Sequence, residues 1–148
     1  MRATTTILRT ETSSEAETVA LAESFAREHQ PPGFITLTGE LGAGKTRFVR
    51  GIVRALGGEE GLVSSPTFAI VNEYDTPAGI VAHVDAYRLA GADELETIGW
   101  DELCERARVV LVEWPSRIAG AIDGTRYDVR IDHLGVSSRR VTITRAEL

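Results

Sequence analysis

Residues 34–46 read Phe-Ile-Thr-Leu-Thr-Gly-Glu-Leu-Gly-Ala-Gly-Lys-Thr. The first five residues are a mostly apolar run typical of a buried strand, and the amphipathic pattern of residues 45–56 predicts a helix. The glycine-rich segment at 39–46 satisfies the pattern G-x-x-x-x-G-K-[ST]. Because it falls between a strand and a helix, where such a loop is expected, the sequence predicts a phosphate-binding loop.

The residue types in this loop suit a bound nucleotide and Mg²⁺. Glycines let successive backbone N–H groups curve around a phosphate, and the positive end of the following helix points at it. Lys45, the one lysine among 16 basic residues, would bridge the β- and γ-phosphates, and the Thr46 hydroxyl would bind Mg²⁺. The candidate nucleotide-binding residues of the loop are Glu40, Leu41, Gly42, Ala43, Gly44, Lys45 and Thr46.

The rest of the chain alternates short strands and helices. Strands are predicted near residues 5–8, 68–74, 80–85, 109–112, 127–133 and 140–144, and helices over 16–28 and 95–106, the latter interrupted by Gly99. This order predicts a single domain over residues 1–148 with an α/β fold. We expect a three-layer, P-loop NTPase-like sandwich whose mixed sheet is parallel in the centre and antiparallel where short turns join neighbours.

Composition excludes several classes of protein. With a net charge of −6 and a pI near 5.1, the chain lacks the basic surface needed to bind nucleic acid unaided, so any contact with RNA is expected to need a partner. One cysteine excludes disulfide frameworks and thiolate zinc sites. No apolar run approaches the roughly 18 residues of a membrane span, and no secretory signal is evident. We therefore expect a cytoplasmic protein.

The motifs also bear on which nucleotide is bound. A GTPase would need an Asn/Thr-Lys-x-Asp element to bind guanine, and with Lys45 in the phosphate loop no lysine is left for it. The sequence therefore favours ATP. A small-metabolite kinase remains a rival because such enzymes carry a similar loop, although residues 61–85 contain no helical block that resembles a substrate lid.

Two carboxylates end apolar strands and are candidates for the metal site. Asp85 follows residues 80–84, and Glu113 follows residues 109–112. Because the carboxyl ends of parallel strands lie at the same edge as the phosphate loop, either could reach Mg²⁺ directly or through water. Each could instead simply mark a strand end. His83 is interpreted as a core or ladder residue, since no other histidine lies near it in sequence.

Taken together, these motifs resemble those of the bacterial TsaE (YjeE) ATPases, which take part in making the threonylcarbamoyladenosine next to the anticodon of tRNA. The matching segments follow the family order and spacing and cover about half of the chain. They are residues 39–46, Ser-Pro-Thr-Phe at 65–68, His-Val-Asp-Ala-Tyr-Arg-Leu at 83–89, Glu-Leu-Glu at 94–96 with Gly99, and Val-Glu-Trp-Pro at 112–115. The phosphate loop is generic, but the other motifs together are close to diagnostic.

The resemblance implies catalytic roles for four residues. Lys45 would contact the phosphates, and Thr67, in a switch-like loop, would lie near the γ-phosphate or the metal. Glu113 would be the Mg²⁺-associated carboxylate and Asp85 the second acidic residue of the metal site. Which of the two carboxylates contacts the metal directly is left open.

The resemblance also implies an adenine pocket and partners. The start of the first helix, residues 12–15 with Glu15, would contribute to the adenine pocket. Trp114 would wall the nucleotide pocket or contact a partner, although the sequence alone fits a core tryptophan equally well. Whether Ser138 or Arg139 approaches the nucleotide is left open. The implied partners are the TsaD and TsaB subunits, through which the chain would act on tRNA indirectly.

The function predicted from these features is a Mg²⁺-dependent ATPase whose hydrolysis drives conformational change in a tRNA-modification complex. A small-metabolite kinase and a nonhydrolysing nucleotide-binding scaffold are the alternatives. On the helix after the phosphate loop, Arg47, Arg50 and Arg54 form a stripe opposite the apolar face. This stripe is either a solvated surface or a docking site for an acidic partner.

Overall fold

The computed structural model describes residues 3–31, 33–40, 44–59, 61, 63, 70–122 and 124–147. Within these ranges the strands are β1 (Ala3–Thr12), β2 (Gly33–Gly39), β3 (Val71–Thr76), β4 (Gly79–Asp85), β5 (Ala107–Glu113), β6 (Arg126–His133) and β7 (Arg139–Glu147). The α-helices are α1 (Glu15–His29), α2 (Lys45–Ala55) and α3 (Trp100–Arg106), and 3-10 segments cover Ala86–Arg88, Ala92–Ile98 and Pro115–Ala121. Thr67, Leu41, Gly42 and Ala43, which the sequence places in the site, lie outside the described residues.

The strands form one mixed sheet in the order β1-β7-β6-β2-β5-β4-β3. The four central strands β6, β2, β5 and β4 run parallel, whereas β1, β7 and β3 pair antiparallel with their neighbours. Apolar runs in β2 and β5 suit these positions because a central parallel strand is covered on both faces. The predicted mixed sheet, parallel in the centre, is therefore confirmed.

Helices cover the two faces of the sheet and complete three layers. On one face α1 and α2 pack over Ile35, Leu37 and Leu111, and on the other α3 and the 3-10 segments pack over Val110 and Val112. The alternation of β5 residues between the two cores follows from the two-residue side-chain period of a strand. The catalytic candidates at odd-numbered positions of β4 and β5 therefore share the α1 and α2 face.

Gly99 divides the helix predicted over residues 95–106 into two pieces. Its backbone is left-handed, with φ 67°, and it ends the 3-10 segment Ala92–Ile98 and precedes α3. The interruption expected at Gly99 is therefore confirmed: a 3-10 segment ends there and an α-helix begins after it. No helix within the described ranges is long and apolar enough to cross a membrane.

The arginine stripe of α2 faces α1 and the loop after α2. Arg47 Nη2 lies 2.7 Å from Glu15 Oε1, and Arg54 Nε lies 3.0 Å from Glu23 Oε1. Arg50 Nη2 donates to the carbonyl oxygen of Val63 over 3.4 Å. All three arginines therefore make contacts within the chain.

Candidate functional site

A cleft of about 680 Å³ opens at the carboxyl edge of the parallel strands, where α2 begins. Its walls come from the starts of α1 and α2, the ends of β4 and β5, and the loop between β6 and β7. The sequence-predicted residues that line it are Glu15, Gly44, Lys45, Thr46, Asp85, Glu113 and Trp114. Glu40 instead lines a neighbouring cavity of about 430 Å³ that shares Lys45 and Trp114 with the cleft. The fold thus brings together residues that are far apart in sequence.

The amino end of α2 has the properties of an anion site. Gly44 precedes the helix with φ 112°, a left-handed conformation that favours glycine. As far as the structure describes this region, no side chain caps the helix, and its first turn carries no acidic residue. The first N–H groups of a helix have no partner inside it and lie at the positive end of the helix dipole. A phosphate placed here would accept hydrogen bonds from these N–H groups and would be stabilised by the positive end of the helix dipole.

Lys45 and Glu113 form a buried ion pair in this cleft. The Nζ of Lys45 lies 3.2 Å from Oε1 of Glu113 and donates to the carbonyl oxygen of Gly39 over 3.0 Å. Both side chains are close to fully buried. The ammonium group of Lys45 is therefore held between the end of β2 on one side and the end of β5 on the other.

His83, which the sequence predicted to be a core or ladder residue, is the third member of this cluster. It is fully buried on β4, and its Nε2 lies 2.6 Å from Oε2 of Glu113. Burial raises the pKa of the Glu113 carboxyl, but the hydrogen bond and electrostatic attraction from His83, together with the charge of Lys45, outweigh it and lower that pKa overall. Glu113 is thus held as a carboxylate. The relationship was missed because it depends on the pairing of β4 with β5, which no spacing in the sequence reveals.

Asp85 lies beside Glu113, because the two residues pair in register at the ends of β4 and β5. Its Oδ1 accepts a hydrogen bond from the Tyr87 backbone N–H at 3.1 Å, and its Oδ2 lies 3.3 Å from Arg88 Nε. These contacts fix the carboxylate at the turn into the segment Ala86–Arg88. Among the described residues no group of three or more His, Cys, Asp or Glu side chains could hold a metal by itself.

Trp114 is a wall of the cleft rather than a core residue. Its side chain is 46% exposed, while the other tryptophan, Trp100, is 7% exposed and stacks on Phe34. The Trp114 ring lies 5.5 Å from the Nζ of Lys45 and 5.0 Å from the ring of Tyr87. Its backbone is left-handed, with φ 57°, which turns the chain out of β5 toward the segment Pro115–Ala121. An aromatic surface therefore stands beside the lysine.

The loop between β6 and β7 also reaches the cleft, through Val136, Ser137 and Arg139. Arg139 Nη1 donates to the carbonyl oxygens of Gly135, Val136 and Ser138 at 3.0–3.3 Å and so braces the loop. Of the two residues left open by the sequence, Arg139 lines the cleft. The parallel pairing of β6 with β2 explains this position, because it places the end of β6 at the edge that carries the phosphate loop.

At the opposite wall, the start of α1 is fixed by its cap. The Ser14 side chain accepts a hydrogen bond from the Glu17 backbone N–H at 3.1 Å. Glu15 lines the cleft and pairs with Arg47 of α2. The first turns of the two helices are thereby joined across the cleft wall.

Comparison with known proteins agrees with this architecture. The chain is similar to the crystal structure of YdiB from Bacillus subtilis, with a TM-score of 0.69 and 32% sequence identity over 97% of this chain and 86% of that one. Residues 12–141 match the family model described as threonylcarbamoyl adenosine biosynthesis protein TsaE.

Relatives from several bacteria carry the same description, tRNA threonylcarbamoyladenosine biosynthesis protein TsaE. The relative from Bacillus subtilis is 37% identical over 93% of this chain and 85% of its own length. The relative from Aquifex aeolicus is 41% identical over 70% of this chain and 74% of its own length. With a family model matched over most of its length and relatives at these identities, the chain belongs to the TsaE family of threonylcarbamoyladenosine biosynthesis proteins.

Proposed function

We propose that this chain is a Mg²⁺-dependent ATPase that serves the threonylcarbamoyladenosine modification of tRNA. The observation that carries the proposal is the position of Lys45, the first residue of α2, whose ammonium group lies between the end of β2 and Glu113 at the end of β5. A lysine in that place, after a loop with the phosphate-binding pattern, suits a nucleoside triphosphate. Membership of the TsaE family supports the tRNA-modification role.

The cleft suits a nucleotide in size and in chemistry. Its volume of about 680 Å³ falls within the range of small-molecule sites. The phosphates would lie at the amino end of α2, with Lys45 contacting the β- and γ-phosphates. The base would extend toward Glu15 and the β6–β7 loop, which line the far side of the same cleft.

The residues present also suit Mg²⁺ that arrives with the nucleotide. Thr46, Asp85 and Glu113 line the cleft and offer a hydroxyl and two carboxylates, and these are the oxygen ligands that Mg²⁺ prefers. Because they make up less than a full set of ligands, phosphate and water oxygens would complete it. When bound, the ion would neutralise charge that develops on the transferred phosphoryl group.

Hydrolysis would act on partners rather than on a small molecule. The net charge of −6 argues against direct binding of tRNA. The resemblance to TsaE implies TsaD and TsaB as the subunits whose conformation ATP turnover would change. Tyr87 and Trp114 are the exposed aromatic pair beside Lys45, so they stand where a partner could sense the state of the site.

A small-metabolite kinase is the second candidate, and one observation favours it. The cavity of about 430 Å³ adjoins the cleft at Lys45 and Trp114, where a phosphoryl acceptor could lie. A kinase would transfer the γ-phosphate to an added metabolite, and an ATPase would release it as inorganic phosphate.

The deciding experiment measures ATP hydrolysis by the chain alone and with TsaD and TsaB, alongside threonylcarbamoyladenosine formation on tRNA. We expect slow hydrolysis alone, faster hydrolysis with the partners, and modified tRNA only when all three proteins and ATP are present. Modification that proceeds equally well without this chain, or with Lys45→Ala in its place, would refute the proposal.

A further inference from the structure

We propose that His83 is a positioning residue for Glu113, holding one carboxylate oxygen from inside the sheet so that the other faces the cleft. The proposal rests on the proposed function, because the job it assigns to Glu113 is to contact Lys45 and Mg²⁺. It concerns a fully buried residue that does not line the cleft.

The two oxygens of Glu113 have different surroundings. Oε2 lies 2.6 Å from Nε2 of His83, a side chain with 0% exposure. Oε1 lies 3.2 Å from Nζ of Lys45, on the cleft side. A carboxylate offers only acceptor sites, so the shared proton belongs to the histidine and Nε2 donates. Oε2 is therefore held by a side chain that is packed in the core, whereas Oε1 is held by the long, flexible side chain of Lys45.

Simple packing does not account for a histidine at this position. His83 occupies the face of β4 that also carries Val81, in the core beneath α2. Among the described residues its Nδ1 is buried without a hydrogen-bond partner, which costs free energy that a leucine or valine would avoid. The compensating contact is the one from Nε2 to Glu113. The polar contact of the His83 side chain is therefore its hydrogen bond to Oε2 of Glu113.

This arrangement lets Lys45 exchange partners. If Lys45 turns from Glu113 to a phosphate, the carboxylate loses its cleft-side partner while still mostly buried, and an unpaired buried charge is strongly unfavourable. His83 keeps one strong hydrogen bond on Oε2 throughout, and Oε1 becomes available as a ligand. Partners of this kind behind a metal ligand orient it and raise its affinity for the ion.

Two variants of His83 separate positioning from packing. His83→Gln keeps an N–H donor near the place of Nε2, whereas His83→Leu fills the same space with no donor. Calorimetry gives the dissociation constant of ATP with Mg²⁺ and with EDTA, and the ratio of the two constants is the Mg²⁺ enhancement. We expect His83→Leu to lower this enhancement by about 10- to 100-fold, and His83→Gln to recover most of it.

Val81→Ala is the matched control, because Val81 is equally buried on the same face of β4 and pairs with Val109 of β5 rather than with Glu113. It should lower the melting temperature and leave the enhancement unchanged. Should His83→Leu fail to fold, His83→Asn, whose shorter amide falls short of Glu113, takes its place. An enhancement that stays at the parent value in the donor-less variant would overturn the proposal. A parent protein that shows no Mg²⁺ enhancement at all would overturn both this proposal and the ATPase assignment.

Discussion

The Nζ of Lys45 lies 3.2 Å from Oε1 of Glu113, so the cation suited to the phosphates and a carboxylate suited to the metal neutralise each other across the cleft. Each side chain supplies the opposite charge that the other needs, because both are mostly buried. Adding a polyanion alone would force Lys45 to leave a carboxylate unpaired, whereas adding the metal with it supplies a replacement charge. Under the proposed function, this pair would therefore favour joint binding of ATP and Mg²⁺.

The first prediction concerns Lys45→Ala. Loss of the ammonium group removes the contact with the phosphates and leaves Glu113 with His83 as its remaining partner among the described residues. We expect ATP affinity to weaken and hydrolysis to fall by roughly 10²- to 10³-fold, as when one transition-state donor is removed. Steady-state phosphate release at saturating ATP measures the effect, and Arg145→Ala, on β7 next to the edge strand β1, is the control. A parent-like rate in Lys45→Ala would refute the assignment of the phosphate loop.

The second prediction compares Glu113→Gln with Asp85→Asn. Both changes remove a charge and nearly keep the shape, so hydrolysis at saturating Mg²⁺ should collapse in each. They should differ in EDTA: Glu113→Gln releases Lys45 from its ion pair, and its affinity for metal-free ATP should equal or exceed that of the parent. Asp85→Asn leaves that pair intact, so its affinity in EDTA should match the parent. Full activity in both variants would make these residues ordinary strand ends.

The third prediction uses the two tryptophans as reporters. Trp114 stands 5.5 Å from the Nζ of Lys45, whereas Trp100 is buried against Phe34 in the core of the other sheet face. A fluorescence titration with Mg·ATP should therefore show the same signal change in Trp100→Phe as in the parent and none in Trp114→Phe. A signal that survives in Trp114→Phe would place the nucleotide away from this wall.

Local sequence patterns were sufficient to predict the central part of the fold. The apolar residues Phe48, Val49, Ile52 and Val53 of α2 are buried, as their helical spacing indicated. The strand predicted at residues 109–112 is part of β5, and its continuous apolar run suits a strand covered on both faces. The order of the strands could not be predicted in this way. β2 begins 93 residues before β6 in the chain, and nothing in the sequence of β6 shows that the two strands pair.

The site was predictable where a motif or a strand end marked it. Asp85 and Glu113 were identified because each ends an apolar strand, and the pairing of β4 with β5 brings them side by side. His83 and Arg139 were not assigned, because their contacts arise from tertiary pairing and not from local spacing. A histidine two residues before Asp85 shares a face of β4 with that carboxylate, but nothing in the sequence shows that its partner is Glu113 of β5.

The fourth prediction concerns the arginine stripe on α2. Arg54 pairs with Glu23 of α1, and half-exposed pairs of this kind contribute about 0–1 kcal/mol. Arg54→Glu should therefore lower stability slightly, as measured by urea unfolding. The swap Arg54→Glu with Glu23→Arg should restore only part of the loss, because Glu23 also pairs with Arg27 at 2.6 Å and the swap sets two positive charges side by side. Binding of both variants to TsaD and TsaB at low salt then shows whether Arg54 serves the contact with α1 or docks an acidic partner. Recovery of assembly in the swap assigns Arg54 to the α1 contact, and weak assembly in both assigns it to an acidic partner surface.

The last prediction tests the packing that holds α2, and with it the phosphate site, against α1. Gly51 has no room for a side chain, since a Cβ there would overlap Ala22 Cβ and the Val19 carbonyl oxygen and lie 2.9 Å from Glu23 N. Alanine favours a helix over glycine by about 1 kcal/mol, but overpacking against backbone costs about 3 kcal/mol, so we expect Gly51→Ala to lose about 2 kcal/mol. A chain of this length should then melt roughly 4–8 °C lower. Gly120→Ala is the control, because a Cβ there meets nothing within 4 Å and its φ suits any residue. Equal melting temperatures for the two variants would show that α1 and α2 can separate without cost, and that the close approach at Gly51 does not position the site.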